Sequence, residues 1–241
     1  MRVWLLLLKW QYMRWRRELI FIIVIQVVLA VGIIYGLALL IPHIDARSAM
    51  YLATGAPTVS LLVMGFNMVP QEVSNGKLTG RFEYLSSLPI GRLATLSSDV
   101  FFWLVVQLPG TVLALVIASI RFDFDLNLSW IVVPAVGLVA LTAACVGYGF
   151  ALALRPEVAN QITSFLAIGI LLFSPINFPP ERLPGLLRGV HTVLPIQYMA
   201  DVIRYGLVGQ GSAPLAVAFA VVAAWCAAGL AVSYRVAVKR R

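Results

Sequence analysis

The chain has 241 residues, of which 61% are hydrophobic and 12% are charged, and its formal net charge is +8. Soluble domains are about 45–50% apolar and about 25% charged, so this composition excludes a soluble globular protein. Six windows contain no Lys, Arg, Asp or Glu, and the shortest has 21 residues: 19–44, 48–71, 100–120, 126–154, 158–180 and 205–234. A helix needs about 20 apolar residues to cross a hydrocarbon core, so each window can span a membrane. The segments between the windows are too short for a nucleotide-binding fold or a water-soluble catalytic domain.

The predicted fold class is an all-α polytopic membrane protein with one transmembrane domain over residues 1–241. Six transmembrane helices are predicted, at about 20–41, 50–70, 98–120, 130–154, 159–177 and 213–234. An even number of spans places both termini on one side, and 13 of the 18 Lys and Arg residues then fall on that side. Because Lys and Arg collect in cytoplasmic segments, both termini are predicted to be cytoplasmic. The basic excess therefore reflects topology and does not indicate a nucleic-acid partner.

The second predicted span is the least hydrophobic of the six. It contains several small or polar residues and two prolines: Thr54, Gly55, Pro57, Thr58, Ser60, Asn67 and Pro70. Such residues are tolerated in a membrane helix that packs against protein or lines a polar path. Two interpretations follow, a helix buried inside the bundle or a helix that lines a substrate route.

Residues 1–18 predict an amphipathic helix at the inner membrane surface. This segment combines four leucines and three tryptophans with five basic residues. Tryptophan rings favour the headgroup region, and cations favour anionic lipid. The segment is interpreted either as a membrane anchor or as a moving part coupled to the spans.

Residues 71–97 form the longest predicted cytoplasmic connection. Pro89 ends any helix that runs through residues 81–88, and that short helix carries Phe82, Leu85 and Leu88 along a narrow apolar stripe. A short helix at the inner mouth of two spans is either a docking element for a soluble protein or a helix that folds back on the membrane face. Spacing alone favours neither interpretation.

Residues 178–212 are predicted to form an extracellular re-entrant helical hairpin before the last span. They are too apolar for an open loop, and they are interrupted at Pro179, Pro180, Pro184, Gly185 and Pro195. Two short helices are predicted, at about 183–191 and 195–207, and they would cover the outer mouth of the bundle while satisfying their own backbone groups.

Three separated segments of this chain resemble one known family. In the run from Gly80 to Arg92, an acidic residue, Glu83, stands three positions after the glycine and Pro89 stands nine positions after it. This pattern resembles a cytoplasmic loop of ABC-type exporter permeases of the type-2 (ABC-2) superfamily. The turn 155–161 and the segment 178–204 resemble later connections of the same family. The spacing is most similar to that of the daunorubicin-resistance type of drug-export permease.

The resemblance implies a homodimer or heterodimer of permeases with separate ATP-hydrolysing subunits docked beneath it. Mg-ATP would bind those subunits, and no cofactor, metal or catalytic residue is expected on this chain. The ATPase-coupling residues implied are Glu72, Gly80, Phe82, Glu83, Leu85, Leu88, Pro89, Arg92, Arg155 and Glu157. Which acidic residue matters for docking, Glu72 or Glu83, is left open. The extracellular gate residues implied are Phe178, Pro179, Pro184, Pro195, Tyr198, Asp201 and Arg204.

The implied function is export of an amphipathic drug, lipid or glycolipid across the plasma (inner) membrane of a prokaryote, in contact with membrane lipid. Candidate substrate-path residues are the polar and aromatic positions of the spans: Gln26, Phe66, Asn67, Phe102, Trp103, Gln107 and Asn160. Polar residues in bundles also commonly bond across helices. The alternatives are a stand-alone secondary transporter or channel, and an intramembrane enzyme or scaffold. No acidic residue lies deep in a predicted span, which disfavours an ion-driven pump. No P-loop, HExxH, CxxC or GxSxG motif is present.

Overall fold

A computed structural model describes residues 2–40, 45–122 and 129–239. Within these ranges there are ten α-helices and no strand: α1 (Arg2–Trp15), α2 (Leu19–Leu37), α3 (Ala46–Leu78), α4 (Arg81–Ser87), α5 (Arg92–Phe122), α6 (Val132–Ala153), α7 (Pro156–Phe173), α8 (Gly185–His191), α9 (Pro195–Val208) and α10 (Leu215–Lys239). A helical turn, Ala38–Leu40, continues α2, and a 3₁₀ turn, Pro180–Arg182, precedes α8. Helices α2, α3, α5, α6, α7 and α10 are long and apolar enough to cross a membrane. The prediction of an all-α polytopic membrane protein is therefore confirmed.

The bundle has two distinct ends. Because six spans return the chain to its starting side, α1, α4 and the α6–α7 turn lie at one end, called the terminal face below. Helices α8 and α9 lie at the other end, called the opposite face. Helix α1 packs along α5, and α4 packs against the end of α3.

Several helices extend past the predicted spans. Helix α3 covers 33 residues and continues to Leu78, whereas the predicted span ended near residue 70. Helix α5 begins at Arg92, so the predicted connection 71–97 shrinks to residues 79–91, with α4 inside it. Hydropathy detects only the part of a helix that lies in hydrocarbon, while helical hydrogen bonds also persist in water. The polar end of α3 was therefore assigned to a loop. Residue 41, the predicted end of the first span, lies outside the described residues.

Helix α3 is the centre of the bundle. Of its most apolar 18-residue stretch, 83% is buried, against 28% for α2, 17% for α7 and 22% for α10. This confirms that the weak hydropathy of the second span belongs to a helix packed inside protein. Lipid-facing sides must be apolar, but α3 contacts other helices and can therefore carry Thr and Ser residues, whose hydroxyls bond carbonyls of the same helix.

The crossing of α3 and α6 depends on two glycines. A Cβ atom added to Gly65 would overlap Ala143, and one added to Gly147 would overlap the carbonyl oxygen of Gly65. Small residues let two membrane helices approach this closely, which increases van der Waals contact where no hydrophobic driving force exists. One π-helical turn, Met64–Met68, lies in α3 at the same level.

The opposite face carries the two predicted short helices. They were expected at about 183–191 and 195–207, and they occur as α8 and α9. Pro195 occupies the first position of α9, where its missing N–H costs nothing. Gly209 ends α9 with φ of +69°, a left-handed conformation that glycine adopts without strain. Their insertion into the membrane remains a prediction.

Candidate functional site

A buried carboxylate at the terminal face joins three separate helices. Glu72, near the end of α3, is only 8% exposed. Its Oε1 atom accepts hydrogen bonds from Arg14 of α1 and from Arg81 of α4. Arg81 also lies close to the Glu72 carbonyl. The two arginines compensate the buried charge, and α1, α3 and α4 are thereby connected through one side chain.

A second buried carboxylate extends this connection to the spans. Asp99 of α5 accepts a hydrogen bond from Gln11 of α1 and one of 3.3 Å from the Tyr148 hydroxyl of α6. Gln11 and Asp99 are both buried. Together with Arg14, Glu72 and Arg81, these residues form what we call the terminal-face cluster. It links α1, α3, α4, α5 and α6.

Lys77 connects the end of α3 to the end of α6 through hydrogen bonds. Its ammonium donates hydrogen bonds to the carbonyls of Ala151, Leu152 (3.1 Å) and Leu154 (2.9 Å). The last carbonyls of a helix lack intrahelical partners and carry partial negative charge, so a cation there is favourable. The end of α6 is thus held beside the end of α3.

The predicted coupling residues divide between buried and exposed positions. Gly80 starts α4 with φ of +69°, a conformation that favours glycine. Leu85, one of the implied coupling residues, lies on the buried side of α4 in this chain. The exposed side of α4 carries Glu83 and Tyr84, the latter with 63% exposure, and Pro89 is exposed just after the helix.

The remaining coupling positions complete this surface. Arg155 and Glu157, in the α6–α7 turn, are exposed at the same face, and Leu88 is half-buried. The side chains of Phe82 and Arg92 lie outside the described part of the chain. The structure therefore places exposed residues of α4 and of the α6–α7 turn at the terminal face, and it places Glu72 inside the protein, bonded to Arg81 of α4.

At the opposite face, one buried arginine ties α9 to α3 and to the segment after α7. Arg204 is 1% exposed. It donates to Asp201 Oδ1 (2.7 Å), to Thr54 Oγ1 (3.1 Å) and to the Ile176 carbonyl (3.0 Å). Its guanidinium carbon lies 4.0 Å from the centroid of the Tyr51 ring, a cation–π contact.

Asp201 connects the same cluster to the start of α10. Its carboxylate accepts the backbone N–H groups of Ser212 (3.0 Å) and Ala213 (3.1 Å), as well as the Ser212 hydroxyl. Tyr205 donates to the Ala213 carbonyl at 2.8 Å. We call Tyr51, Thr54, Asp201, Arg204 and Ser212 the opposite-face cluster. It fixes α9 against α3 on one side and α10 on the other.

The other predicted gate residues lie before and within the short helices of the opposite face. Tyr198 donates to the Thr192 carbonyl at 3.0 Å. Pro179, Pro184 and Pro195 each stand at the start of a helical turn, and Phe178 is half-buried next to the first of them.

His191, at the end of α8, lies on the same side of the bundle. It has a ring nitrogen 3.0 Å from the Phe173 carbonyl, and burial lowers the pKa of its imidazole. The neutral ring is therefore favoured in the folded protein.

None of the cavities lined by described residues brings the predicted substrate-path residues together: Trp103 lines one cavity and Phe102 another. Gln26 reaches the Val106 carbonyl of α5 at 3.4 Å, in a gap that exists because position 110 is glycine. Asn67 accepts from Gln71 of its own helix. The others are spread through the packed bundle: Phe66, Phe102, Trp103 and Gln107 are buried, and Asn160 is half-buried on α7. The Gln26 contact is an interhelical bond of the kind that membrane bundles commonly form.

A groove of about 350 Å³ opens near the terminal face between α2 and α3. Its lining comes from four helical segments and the α1–α2 elbow: Trp15, Glu18, Phe21, Ile22, Ile25, Met68, Gln71, Glu72, Asn75 and Trp103. We call it the α2–α3 groove. Of the predicted path residues it contains only Trp103. A helical spacing in the sequence could have indicated this groove. Residues 18, 21, 22 and 25 follow the spacing i, i+3, i+4, i+7, and so do residues 68, 71, 72 and 75. This spacing places each set on one face of its helix.

Comparison with known proteins gives one family. The family model described as "ABC-2 type transporter" matches residues 2–208, from the start of α1 to the end of α9. Among curated proteins, no sequence matches this chain. The matched range includes both polar clusters and the α2–α3 groove, except for the contacts made by Ser212 and Ala213.

Proposed function

The chain belongs to the ABC-2 type transporter family, and we propose that it is the permease subunit of an exporter driven by a separate ATPase. Members of this family are membrane components of transporters that work with an ATPase subunit. In this proposal the terminal face is cytoplasmic, the membrane is the plasma membrane of a prokaryote, and the substrate is an amphipathic molecule such as a drug, lipid or glycolipid. The resemblance to daunorubicin-resistance permeases favours drug efflux.

The observation that carries the proposal is the path from α4 into the bundle. An ATPase docked on the exposed side of α4 would displace this helix when its nucleotide site closes. Arg81 would transmit the displacement to Glu72 in α3, and Arg14 would transmit it to α1. Arg81 and Glu72 are both buried, so separating these two charges would cost several kcal/mol. Arg14 is partly exposed, so its bond to Glu72 contributes less. Helices α3 and α4 are therefore expected to move together, and α1 to follow them through Arg14.

The exposed patch supports docking at this place. Glu83 and Tyr84 are exposed on α4, and Pro89 is exposed just after it. Arg155, before α7, and Glu157, in its first turn, are exposed at the same face. Charges of both signs beside an aromatic ring suit a protein surface with complementary charges, since electrostatic complementarity sets register and partner choice. Leu85, on the buried side of α4, would contribute to coupling by holding this helix onto the bundle.

The opposite-face cluster supports an extracellular gate. Arg204 and Asp201 connect α9 to α3, the helix on which Glu72 also lies. A shift of α3 at its terminal end would therefore act on α9 at the other end. Release of α9 from α3 would open the bundle on the outside.

Assembly as a dimer is supported by the lipid-exposed faces of α2 and α7. These two spans are the least buried together with α10, and α7 exposes Phe165, Ile168 and Leu172. We propose that a second permease, identical or homologous, covers part of these faces.

The experiment is purification of tagged chain from its native membranes, followed by measurement of vanadate-sensitive ATP hydrolysis in the eluate. We expect hydrolysis to co-purify with the wild-type chain and to be lost when Glu83→Lys is combined with Tyr84→Asp. The matched control is Glu181→Lys, an exposed acidic position on the opposite face, which should retain it. Absence of hydrolysis from the wild type, with ion-driven substrate movement by the chain alone in liposomes, would replace this proposal with a secondary transporter.

A further inference from the structure

A groove of about 330 Å³ lies in the angle between α1, α2 and α5. We call it the α1–α5 groove, and it is lined by Leu8 and Tyr12 of α1, by Leu19 and Ile23 of α2, and by residues of α5 between 101 and 109. Apart from the Tyr12 hydroxyl, its lining side chains are apolar. Val105, one of the α5 residues, is 46% exposed. The groove is therefore apolar and open to the surrounding lipid.

The groove extends from the terminal face into the membrane. Helices α2 and α5 both run away from this face, so Leu19 and Phe101 lie at the shallow end, while Ile23 and Pro109 lie deeper. Eight residues of α5 rise about 12 Å. This is most of one leaflet's share of a hydrocarbon core that is roughly 30 Å thick. The shape of the groove therefore matches an acyl chain that lies parallel to the spans.

Helix α1 stays at the shallow end of this groove. Trp4, near the start of α1, packs with its ring centroid 5.2 Å from that of Phe101. Gln11, two turns further along α1, bonds Asp99. Two turns of α1 thus meet one short stretch of α5, which keeps the basic residues of α1 at one depth. Tryptophan and basic residues at a helix of this kind favour the head-group region.

Two cations flank the mouth of the groove. Lys9 and Arg16 are seven positions apart, and Tyr12 lies between them on the same side of α1. The Arg16 N–H group donates to the Tyr12 carbonyl, so helical geometry continues to Arg16. Both cations are exposed, and neither belongs to any of the four ion pairs among the described residues. Because Tyr12 lines the groove, an anion at its mouth would meet both charges.

The other charged groups of this region do not cancel the two cations. Arg14 lies on another side of α1, where Glu72 holds it. Glu18 lines the α2–α3 groove, on a different face of α2 from Leu19. Arg17 adds a further exposed positive charge at the elbow. A zwitterionic head group would bring its own ammonium beside these cations, so electrostatic complementarity favours an anionic one.

The geometry points to the α1–α5 groove as a binding site for an anionic phospholipid of the leaflet at the terminal face. The phosphate lies between Lys9 and Arg16, close to the Tyr12 hydroxyl. One acyl chain lies along Val105 and Pro109. A lipid in this position holds the angle between α1 and α2. It is a ligand of this chain, independent of the exported substrate and of any ATPase.

The test is native mass spectrometry of the purified full chain, released from detergent micelles that contain phosphatidylglycerol or phosphatidylcholine with identical acyl chains. We expect one phosphatidylglycerol to remain bound per chain at concentrations at which phosphatidylcholine does not. Lys9→Gln combined with Arg16→Gln should weaken phosphatidylglycerol binding about thirtyfold, since each cation near an anionic surface contributes about 1 kcal/mol. The matched control, Arg17→Gln combined with Arg235→Gln, removes two exposed cations from the same face and should leave binding unchanged.

A second pair of variants tests the apolar part of the groove and keeps every charge. Val105→Trp fills the groove and should abolish retention of the lipid, whereas Val112→Trp, at an exposed position two turns further along α5, should preserve it. Glycerol phosphate, which carries the charge without acyl chains, should not displace the lipid.

Three results would overturn the inference. Equal retention of phosphatidylcholine would indicate a general lipid groove. Equal weakening by the two pairs of cation variants would indicate a general attraction of anionic lipid to the basic residues. Full retention in Val105→Trp would place the lipid outside the groove. Because no ATPase is present, none of these results bears on the coupling of α4, and loss of co-purifying hydrolysis does not bear on lipid binding.

Discussion

Removal of Asp201 should destabilise the protein more than removal of its partner Arg204. Asp201→Ala removes the carboxylate that pairs with Arg204, which is 1% exposed. The Arg204 guanidinium then keeps only the Thr54 hydroxyl, the Ile176 carbonyl and the Tyr51 ring as partners. Breaking a buried ion pair in this way costs about 3–5 kcal/mol. Arg204→Met leaves the Asp201 carboxylate with hydrogen bonds to Ser212 and Ala213, so it should cost only about 1.5–3 kcal/mol.

The assay is thermal unfolding of purified variants in detergent, followed by tryptophan fluorescence. At about 2–4 °C per kcal/mol for a chain of this size, Asp201→Ala should lower Tm by about 6–20 °C and Arg204→Met by about 3–12 °C. The double variant should lose less than the sum of the two, because each single loss includes the interaction between them. Arg47→Met, which removes an exposed ion pair with Glu181, should cost under about 1 kcal/mol. A larger loss for Arg204→Met than for Asp201→Ala, or strict additivity in the double variant, would refute this explanation of the cluster.

Three further predictions concern single positions. Gly147→Leu would push into the backbone of α3 and should destabilise the fold by about 3 kcal/mol, which size-exclusion chromatography would show as a loss of monodisperse protein. Gly137→Leu meets open space and should not reduce the yield of monodisperse protein. Equal yields for the two variants would contradict the close crossing of α3 and α6. Gly80→Ala should lower the free energy of unfolding by about 1–2 kcal/mol, because φ of Gly80 is +69°. Gly91→Ala is the control and should leave stability unchanged. Equal Tm values for the two variants would contradict the left-handed start of α4. Burial lowers the pKa of His191, so its contribution to stability is complete above pH about 6.5 and is lost as the pH falls towards the lowered value in the folded state. His191→Gln should flatten this part of the unfolding profile, and an unchanged profile would contradict the assignment.

The spans and the short helices of the opposite face could be predicted because hydropathy and proline positions are local signals. Pro184, Pro195 and Gly209 mark the limits of α8 and α9 in the sequence itself. The burial of α3 could be proposed from the sequence as one of two interpretations, because its Thr and Ser residues would be unfavourable against lipid.

The polar clusters could be predicted only in part, because their partners are far apart in sequence. Glu72 was a candidate, but its bonds to Arg14, 58 positions away, and to Arg81 depend on how α1 and α4 fold onto α3. The apolar stripe of α4 identified Leu85 as important without showing which side it contacts. Because an apolar stripe can face a partner or the chain's own bundle, only the packing of α4 against α3 distinguishes the two.

The central claim is that motion of α4 reaches the opposite face through Glu72. The most direct test is cysteine labelling at position 200, a buried position of α9. Ala200→Cys is introduced into the native complex after Cys145 and Cys226 have been replaced by alanine, and a membrane-impermeant maleimide is the label. We expect vanadate trapping to increase labelling when Glu72 is present. In Glu72→Gln the increase should be absent while ATP hydrolysis continues. Labelling that rises equally in Glu72→Gln, or that never responds to trapping with Glu72 intact, would contradict the claim.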